Sequence, residues 1–349
     1  MTAADDYDGL VDIFREAMLP ADSALIVTHD FPDPDCLASA AGLTHLLTFW
    51  GVRQCVTSYG GFVGRAENRA MVKLLGLSAA PILLVDFKSF DRIMVVDAIP
   101  GGTNLSLPPG APVDAVMDHH QRIPPEDAPY FWDVRPEMGA TSTLVTTYLK
   151  KAHCPIPSKL ATALFYGIKT DTGDMGTEVS SQDKECYKFL FDLMDHKLLA
   201  SIEHPQRDPE FFLTLYRALT SMQVMGRVGH VFLGEMNTPD YTAEMADLFH
   251  SLQSVEWTLC SGVYKDALFF SIRCKDDGTA GQVAAGIGEA AGGSGGGHSK
   301  IGAGKVPLKG RTPAEARDAL KKSLKNLLDV SVPEEPLLPR GDLSKASRG

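Results

Sequence analysis

The chain has 349 residues, enough for two domains of ordinary size, and 44% of them are apolar, the profile of a globular protein. Its 44 acidic residues against 33 basic ones give a net charge of −11, which argues against a general binder of long duplex nucleic acid, a class that carries a broad basic face. No apolar run approaches a membrane span, MTAADDYDGL has no signal-peptide features, and the 6 cysteines form no CxxC pair. The expectation is a cytoplasmic protein with reduced thiols and no membrane role.

SALIVTH reads as a strand and CLASAAGLTHLLTFWG as a helix closed by Gly51. RQCVTSY is a second strand, and ENRAMVKLLG is a helix ending at Gly76. RIMVVD and VDAVMD are short apolar strands, each stopping on an aspartate. ATSTLVTTYLKK and PSKLATALFYGIKT are helical, the second with Pro157 near its start, and DKECYKFLFDLMDHKLL is a further helix. This alternation predicts an α/β fold: an N-terminal domain, residues 1–195, built on a parallel sheet wrapped by helices. Pro205 and Pro209 suit a linker, placed at 196–215. A smaller α/β domain follows over 216–330. EFFLTLYRALTSMQVMG is its first helix, and RVGHVFLGEM, SVEWTLCSGVYK and ALFFSIRCK are strands. GQVAAGIGEAAGG is a small-residue helix running into a glycine loop. TPAEARDALKKSLKNLLD is a helix with Thr312 as cap, Pro313 at its first position and Glu315 three residues on. Residues 331–349, rich in proline, serine and charge, read as a loosely ordered tail.

Parallel sheets bind ligands beyond the carboxyl ends of their strands. His29, Asp97 and the triplet Asp118, His119, His120 all fall at such ends. In THDFPDPD, Pro32 and Pro34 stiffen a loop that aims Asp33 and Asp35 at neighbouring points. Asp171, in GIKTDTGD, lies at a helix C-terminus, where a cation would offset the repulsion between dipole and carboxylate. Carboxylates and imidazoles without thiolate suit Mn2+, with Mg2+, Co2+ or Fe2+ as alternatives. So many side chains exceed the needs of one ion. Two ions about 3.5–4 Å apart, sharing a carboxylate, fit better and would cleave phosphate esters or anhydrides. No GxSxG elbow supports acyl chemistry, and GAGKV is no P-loop, since Val306 stands where Ser or Thr is needed. Gly292, Gly293, Gly295, Gly296 and Gly297 leave backbone amides open to an anion or a nucleobase, with His298 and Lys300 alongside. The basic residues from Lys300 to Lys325 suit either a phosphate patch or a solvated helix face.

Taken together, THDFPDPD, the aspartate of VVD, the DHH triplet and the aspartate of GIKTDTG resemble the DHH phosphoesterase superfamily, in that family's order. GGSGGGHSKIGAG resembles the GGGH loop of the DHH-associated C-terminal domain, so the likeness runs from about Ser23 to Leu327. Within the superfamily the chain looks most like the stand-alone oligoribonuclease (nanoRNase) and phosphoadenosine-phosphate phosphatase type. The resemblance implies one metal on His29, Asp33 and Asp97 and a second on Asp35, Asp97, His119 and Asp171, with Asp97 as bridge. Asp118 would orient a ligand, and His120 would face the substrate phosphate. Arg273, Gly296, Gly297 and His298 would grip the substrate in a cleft between the domains. Short single-stranded RNA or a small nucleotide would be the substrate, cut by a water that two Mn2+ ions activate; a homodimer stays open. A linear or cyclic dinucleotide phosphodiesterase, a pyrophosphatase or exopolyphosphatase, and a non-catalytic nucleotide sensor are the rival readings. The chain departs from the family in three places: Cys36 replaces a small residue, DTGDMG lacks an aromatic, and KIGAG replaces a double-alanine ending.

Overall fold

The computed structural model describes residues 7–102, 104–108, 110–120, 129–176, 179–275, 279–297 and 300–338. His298 lies outside the described residues. The chain divides into two compact units between Gln206 and Arg207.

The first unit runs α1 (Tyr7–Met18), β1 (Ser23–Val27), α2 (Pro34–Phe49), β2 (Gln54–Tyr59), α3 (Ala66–Leu75), β3 (Ala80–Pro81), β4 (Arg92–Val96), β5 (Ala115–Asp118), β6 (Phe131–Val134), α4 (Thr141–Lys151), α5 (Ser158–Asp171), α6 (Ser181–Phe191) and α7 (His196–Glu203). Its strands form one six-stranded sheet in the order β3-β2-β1-β4-β5-β6, and every pairing is parallel. Parallel central strands are buried on both faces, which is why β4 and β5 read as unbroken apolar runs rather than alternating ones. The strand order reverses direction at β1, so the edge beyond β1 and β4 is the switch point where such sheets bind ligands.

The two faces of this sheet are covered differently. Ala24, Ile26, Met94, Val96, Ala115 and Met117 pack with side chains from helices α1 to α7 in one large core. On the other face Leu25, Val27, Ile93, Val95 and Val116 are covered by Ile82, Phe87, Phe90, Leu105 and Leu107 from the long connections. The helix expected over 183–199 is two helices. Asp195 accepts hydrogen bonds from Lys197 N and Leu198 N and so caps a new start, α7. Where the sequence suggests a linker over 196–215, the chain is largely helical, with Pro209 opening the next helix behind the Asp208 cap.

The second unit contains α8 (Pro209–Ser221), β7 (Gln223–Met225), β8 (Val228–Glu235), α9 (Tyr241–His250), β9 (Trp257–Tyr264), β10 (Ala267–Cys274), α10 (Ala280–Ala290), β11 (Ser294–Gly297), β12 (Ile301–Pro307), α11 (Pro313–Leu327) and β13 (Glu335–Pro336). They build a mixed seven-stranded sheet, β11-β12-β10-β9-β8-β7-β13, with α10 and α11 against one core and α8 and α9 against another. The capping box read at the start of α11 is present, with Thr312 and Glu315 bonded reciprocally. The start of the supposed loose tail is docked: β13 pairs with β7, and Glu334 accepts from Lys321 and Lys325 at 2.9 and 2.8 Å.

The glycine loop is a strand. Gly295, Gly296 and Gly297 pair with Gly304, Ala303 and Gly302 of β12. Most of its glycines, and those facing it, are required by close packing against α10 and β12. A Cβ on Gly288 would stand 2.7 Å from the backbone of Ser294, one on Gly295 2.2 Å from Ala284 O, and one on Gly281 2.3 Å from Gly297 O. Gly296 is different: a Cβ there would meet nothing within 4 Å.

Candidate metal centre

β1 ends at Val27, and the loop that follows delivers His29, Asp33 and Asp35 to the switch point. Asp33 is the cap of α2, accepting from Cys36 N at 3.0 Å through Oδ1, while its Oδ2 lies 3.5 Å from His29 Nε2. His29 donates from Nδ1 to Asp30 O at 2.9 Å, which orients the ring and leaves Nε2 facing the carboxylates.

Asp35 is buried, and both its oxygens accept from the start of α4: Thr141 N at 2.7 Å and Ser142 N at 2.8 Å. The cap residue of α4 is Ala140, whose side chain can accept nothing, so Asp35 caps that helix from another part of the chain. Gly167 makes room for it, since a Cβ there would lie 3.1 Å from the Asp35 Cα and 2.4 Å from Ser142 Oγ.

Asp97, just past β4, is the centre of the group. Its φ is +56°, a left-handed conformation that non-glycine residues adopt mainly where surrounding structure compels it. Oδ1 accepts from Thr141 Oγ1 at 2.7 Å and lies 3.6 Å from His119 Nε2. Oδ2 lies 3.5 Å from His29 Nε2 and is buried without a hydrogen-bond partner. One carboxylate thus faces two imidazoles from opposite sides. His119 repeats the pattern of His29: Nδ1 donates to Met138 O at 3.2 Å, and the buried Nε2 has no hydrogen bond, with Asp171 Oδ2 3.4 Å away.

Asp118 acts differently from the other aspartates. Its Oδ1 accepts from His119 N at 2.8 Å, His120 N at 3.1 Å and His120 Nδ1 at 2.8 Å, so it holds the two histidines in place. His120 lies at the rim, with a side chain 35% exposed.

The donor atoms fall into three overlapping groups, each within 4.8 Å: His29, Asp33, Cys36 and Asp97; Asp97, His119 and His120; Asp35, His119 and Asp171. All six proposed ligands are therefore brought together, and Asp97 is shared. Two buried polar atoms without partners, Asp97 Oδ2 and His119 Nε2, point into these groups. Unpaired buried polar atoms are costly, and divalent cations would satisfy both. The donor set fits such ions.

The protonation pattern agrees. Burial lifts Asp35, and the neighbouring Asp97 charge adds to it, up to about 7. Burial lifts Asp171 well above the carboxylate range, helped by the charges of Asp35 and Asp33. Burial would lower His119, but the Asp171 contact and the nearby carboxylates override it and hold the imidazole at about 10. Without cations, protons occupy the positions that cations would take. Burial pushes the Cys36 thiol up to about 12, so it is no nucleophile at neutral pH.

Sequence reasoning missed Thr141, the Asp97 partner, and the α4 amides that bind Asp35. The available signal was GATST, a helix start whose cap position holds an alanine. Arg273, read from sequence as a phosphate ligand, is buried in β10. Its Nε donates to Asp247 and its Nη1 to Ile272 O. It is thus an internally paired arginine. Gly296 and Gly297 lie in β11, as described above.

A parallel-sheet domain with four carboxylates and two imidazoles converging at its switch point is the setting of a carboxylate–imidazole site for divalent cations. Residues 23–168, within the first unit, match the model of the DHH family, N-terminal domain, and a second, C-terminal unit follows. Uncharacterized protein MJ1633 of Methanocaldococcus jannaschii is 32% identical over 314 residues, a match that takes in 89% of this chain and 63% of that protein. The chain therefore spans somewhat under two thirds of this relative's length. Among solved structures, an exopolyphosphatase-related protein from Bacteroides fragilis is similar with a TM-score of 0.70 at 18% identity, covering 91% of this chain and 96% of that one. RecJ from Thermus thermophilus, in complex with Mn2+, is similar with a TM-score of 0.50 at 14% identity, covering 90% of this chain and 54% of that one. At such identities the likeness is one of fold. Among the described residues no helix is long and apolar enough to cross a membrane.

Proposed function

We propose that this chain hydrolyses phosphodiester bonds in short single-stranded oligoribonucleotides, with phosphoadenosine phosphate as a second substrate. The observation that carries the reading is Asp97: one buried carboxylate, held by Thr141, facing His29 on one side and His119 on the other. A pair of divalent cations, Mn2+ in this proposal, supplies Lewis-acid charge at the phosphoryl oxygens and acidifies a water when bound.

The chain's own residues do the rest. His29, Asp33 and Asp97 hold one cation; Asp35, Asp97, His119 and Asp171 hold the other. Asp118 fixes His120 through Nδ1, so the opposite ring nitrogen is turned to the phosphate. The four ligand carboxylates offset the charge of two divalent cations, so the filled site is close to neutral before substrate arrives. In the second unit, Gly296 has neither a packing contact nor a left-handed φ to account for its glycine, which supports close approach of a ligand to this strand.

The test is a panel assay with Mn2+ on dinucleotides, RNA of increasing length, cyclic dinucleotides, phosphoadenosine phosphate and pyrophosphate, compared by kcat/KM. The expected result is a clear fall from two or three nucleotides to about twenty, with folded duplex nearly inert. Equal rates on dinucleotide and long RNA would reject the short-substrate reading. Strong pyrophosphate cleavage with every nucleotide inert would replace it with a pyrophosphatase.

A further inference from the structure

Phe31 lies between His29 and Asp33 in the ligand-bearing loop, yet it holds no metal. It is 53% exposed, and its φ is +57°. A large apolar ring gains little from folding into such a position, and the left-handed backbone is unfavourable for a bulky side chain. The surrounding structure nevertheless enforces it. Asp30 N donates to Asn104 O at 2.6 Å, and the Asp30 carboxylate accepts from Ser106 N and Oγ at 2.9 and 2.7 Å. Phe31 N donates to Gly60 O at 2.9 Å.

The glycine pair after β2 makes the seat. A Cβ on Gly60 would lie 1.9 Å from the Asp30 carboxylate, and one on Gly61 only 2.7 Å from the Phe31 ring. The ring therefore rests directly on Gly61. Phe62 meets it in a T-shaped contact, centroids 5.1 Å apart at 86°. Phe31 is thus fixed on one side and open to solvent on the other, at the same sheet edge as the metal ligands.

We propose that Phe31 is a stacking platform for a nucleobase of the substrate, and hence a specificity-determining residue. This rests on the phosphodiesterase reading and deepens it. The Asp30 carboxylate sits against Gly60, next to the Gly61 that seats the ring, so a phosphate is disfavoured there, whereas an uncharged planar base is not. Stacking tolerates any base, because every base has a π-face. Such a platform separates base-bearing substrates from inorganic polyphosphate, which has nothing to stack.

The experiment uses the full chain as wild type, Phe31→Leu and Phe31→Trp. Phe31→Leu keeps the apolar contact with Gly61 and removes the π-face; Phe31→Trp restores one. A dinucleotide containing 2-aminopurine is titrated with Ca2+ in place of Mn2+ to slow turnover, and its fluorescence is followed. KM and kcat for the unlabelled dinucleotide are then measured with Mn2+, alongside bound-metal content. We expect quenching on wild type and Phe31→Trp. Phe31→Leu should bind about tenfold more weakly, with the loss in KM exceeding that in kcat and metal content equal to wild type. Equal binding and equal quenching on Phe31→Leu would overturn the platform while leaving the phosphodiesterase reading in place. A wild type that neither binds nor cleaves the dinucleotide would end both.

Discussion

Asp97 concentrates the chemistry at the residue scale. It has an unpartnered buried oxygen, contacts to two imidazoles and a left-handed backbone. Asn is among the few side chains that accept that backbone, so Asp97→Asn separates charge from conformation. We expect a folded protein whose kcat/KM falls by about 100-fold or more and whose metal content drops, since both cations lose a charged ligand. A folded Asp97→Asn protein with two bound cations and near wild-type turnover would refute the shared-ligand assignment. The protons held by this group make a second prediction. Cations bind only the deprotonated ligands. Asp35 at about 7 and His119 at about 10 must each release a proton. Below pH 7 both protons are displaced on binding; between 7 and 10 that of Asp35 is already gone while that of His119 is still displaced, and the raised His29 and Asp171 add to the release. Mn2+ affinity should therefore rise with pH throughout, more steeply below pH 7 than above. Calorimetry in buffers of different ionisation enthalpy measures the released protons directly, and release of none at pH 6.5 would contradict the protonation pattern.

At the scale of elements, the sequence shows what is local and hides what is not. RIMVVD and VDAVMD read as strands because buried parallel strands are apolar throughout, and their terminal aspartates then fall at the binding edge without further information. The bond from Asp35 to Thr141 spans 106 residues and leaves only a missing cap on α4 as its trace. The break at Asp195 was missed because apolar residues continue on both sides of it, and only the cap separates the helices. The glycine run was legible as special but ambiguous in cause, since a bare strand serves a neighbouring helix as well as a ligand. The structure separates the two causes residue by residue, and this is testable. Gly281→Ala places a Cβ 2.3 Å from Gly297 O, and Gly288→Ala one at 2.7 Å from Ser294. Each should destabilise the protein by about 1–3 kcal/mol. Gly296→Ala, with open space around it, should leave stability within about 0.5 kcal/mol and raise KM for a dinucleotide. Thermal melts decide the first pair and kinetics the third. A Gly296→Ala protein with unchanged stability and unchanged KM would remove this strand from the substrate site.

On the scale of the whole molecule, an acidic chain is assigned a polyanionic substrate. The net charge is −11, and the proposed cation ligands include four aspartates drawn close together. Without cations, protons on His119 and on the raised carboxylates offset only part of this negative charge, so this edge of the sheet offers phosphate no positive partner. Bound cations would bring that charge close to neutral and offer phosphoryl oxygens a direct ligand position, so the group that gives nucleotides little hold in the empty protein would recruit them to the loaded one. Dinucleotide binding should therefore depend on divalent cation, with Ca2+ suited to showing this in the absence of rapid turnover. Linkage makes the claim symmetric: whatever factor Ca2+ adds to dinucleotide affinity, the dinucleotide must add to Ca2+ affinity. We expect a factor of about ten or more, and equality of the two factors is the internal control. The effect should also weaken little with added salt, because the charges involved are mostly buried, whereas a surface patch of lysines would lose its hold. Dinucleotide affinity that is the same with and without cation, and that falls steeply with salt, would place binding on the basic residues between Lys300 and Lys325 instead of at the metal centre.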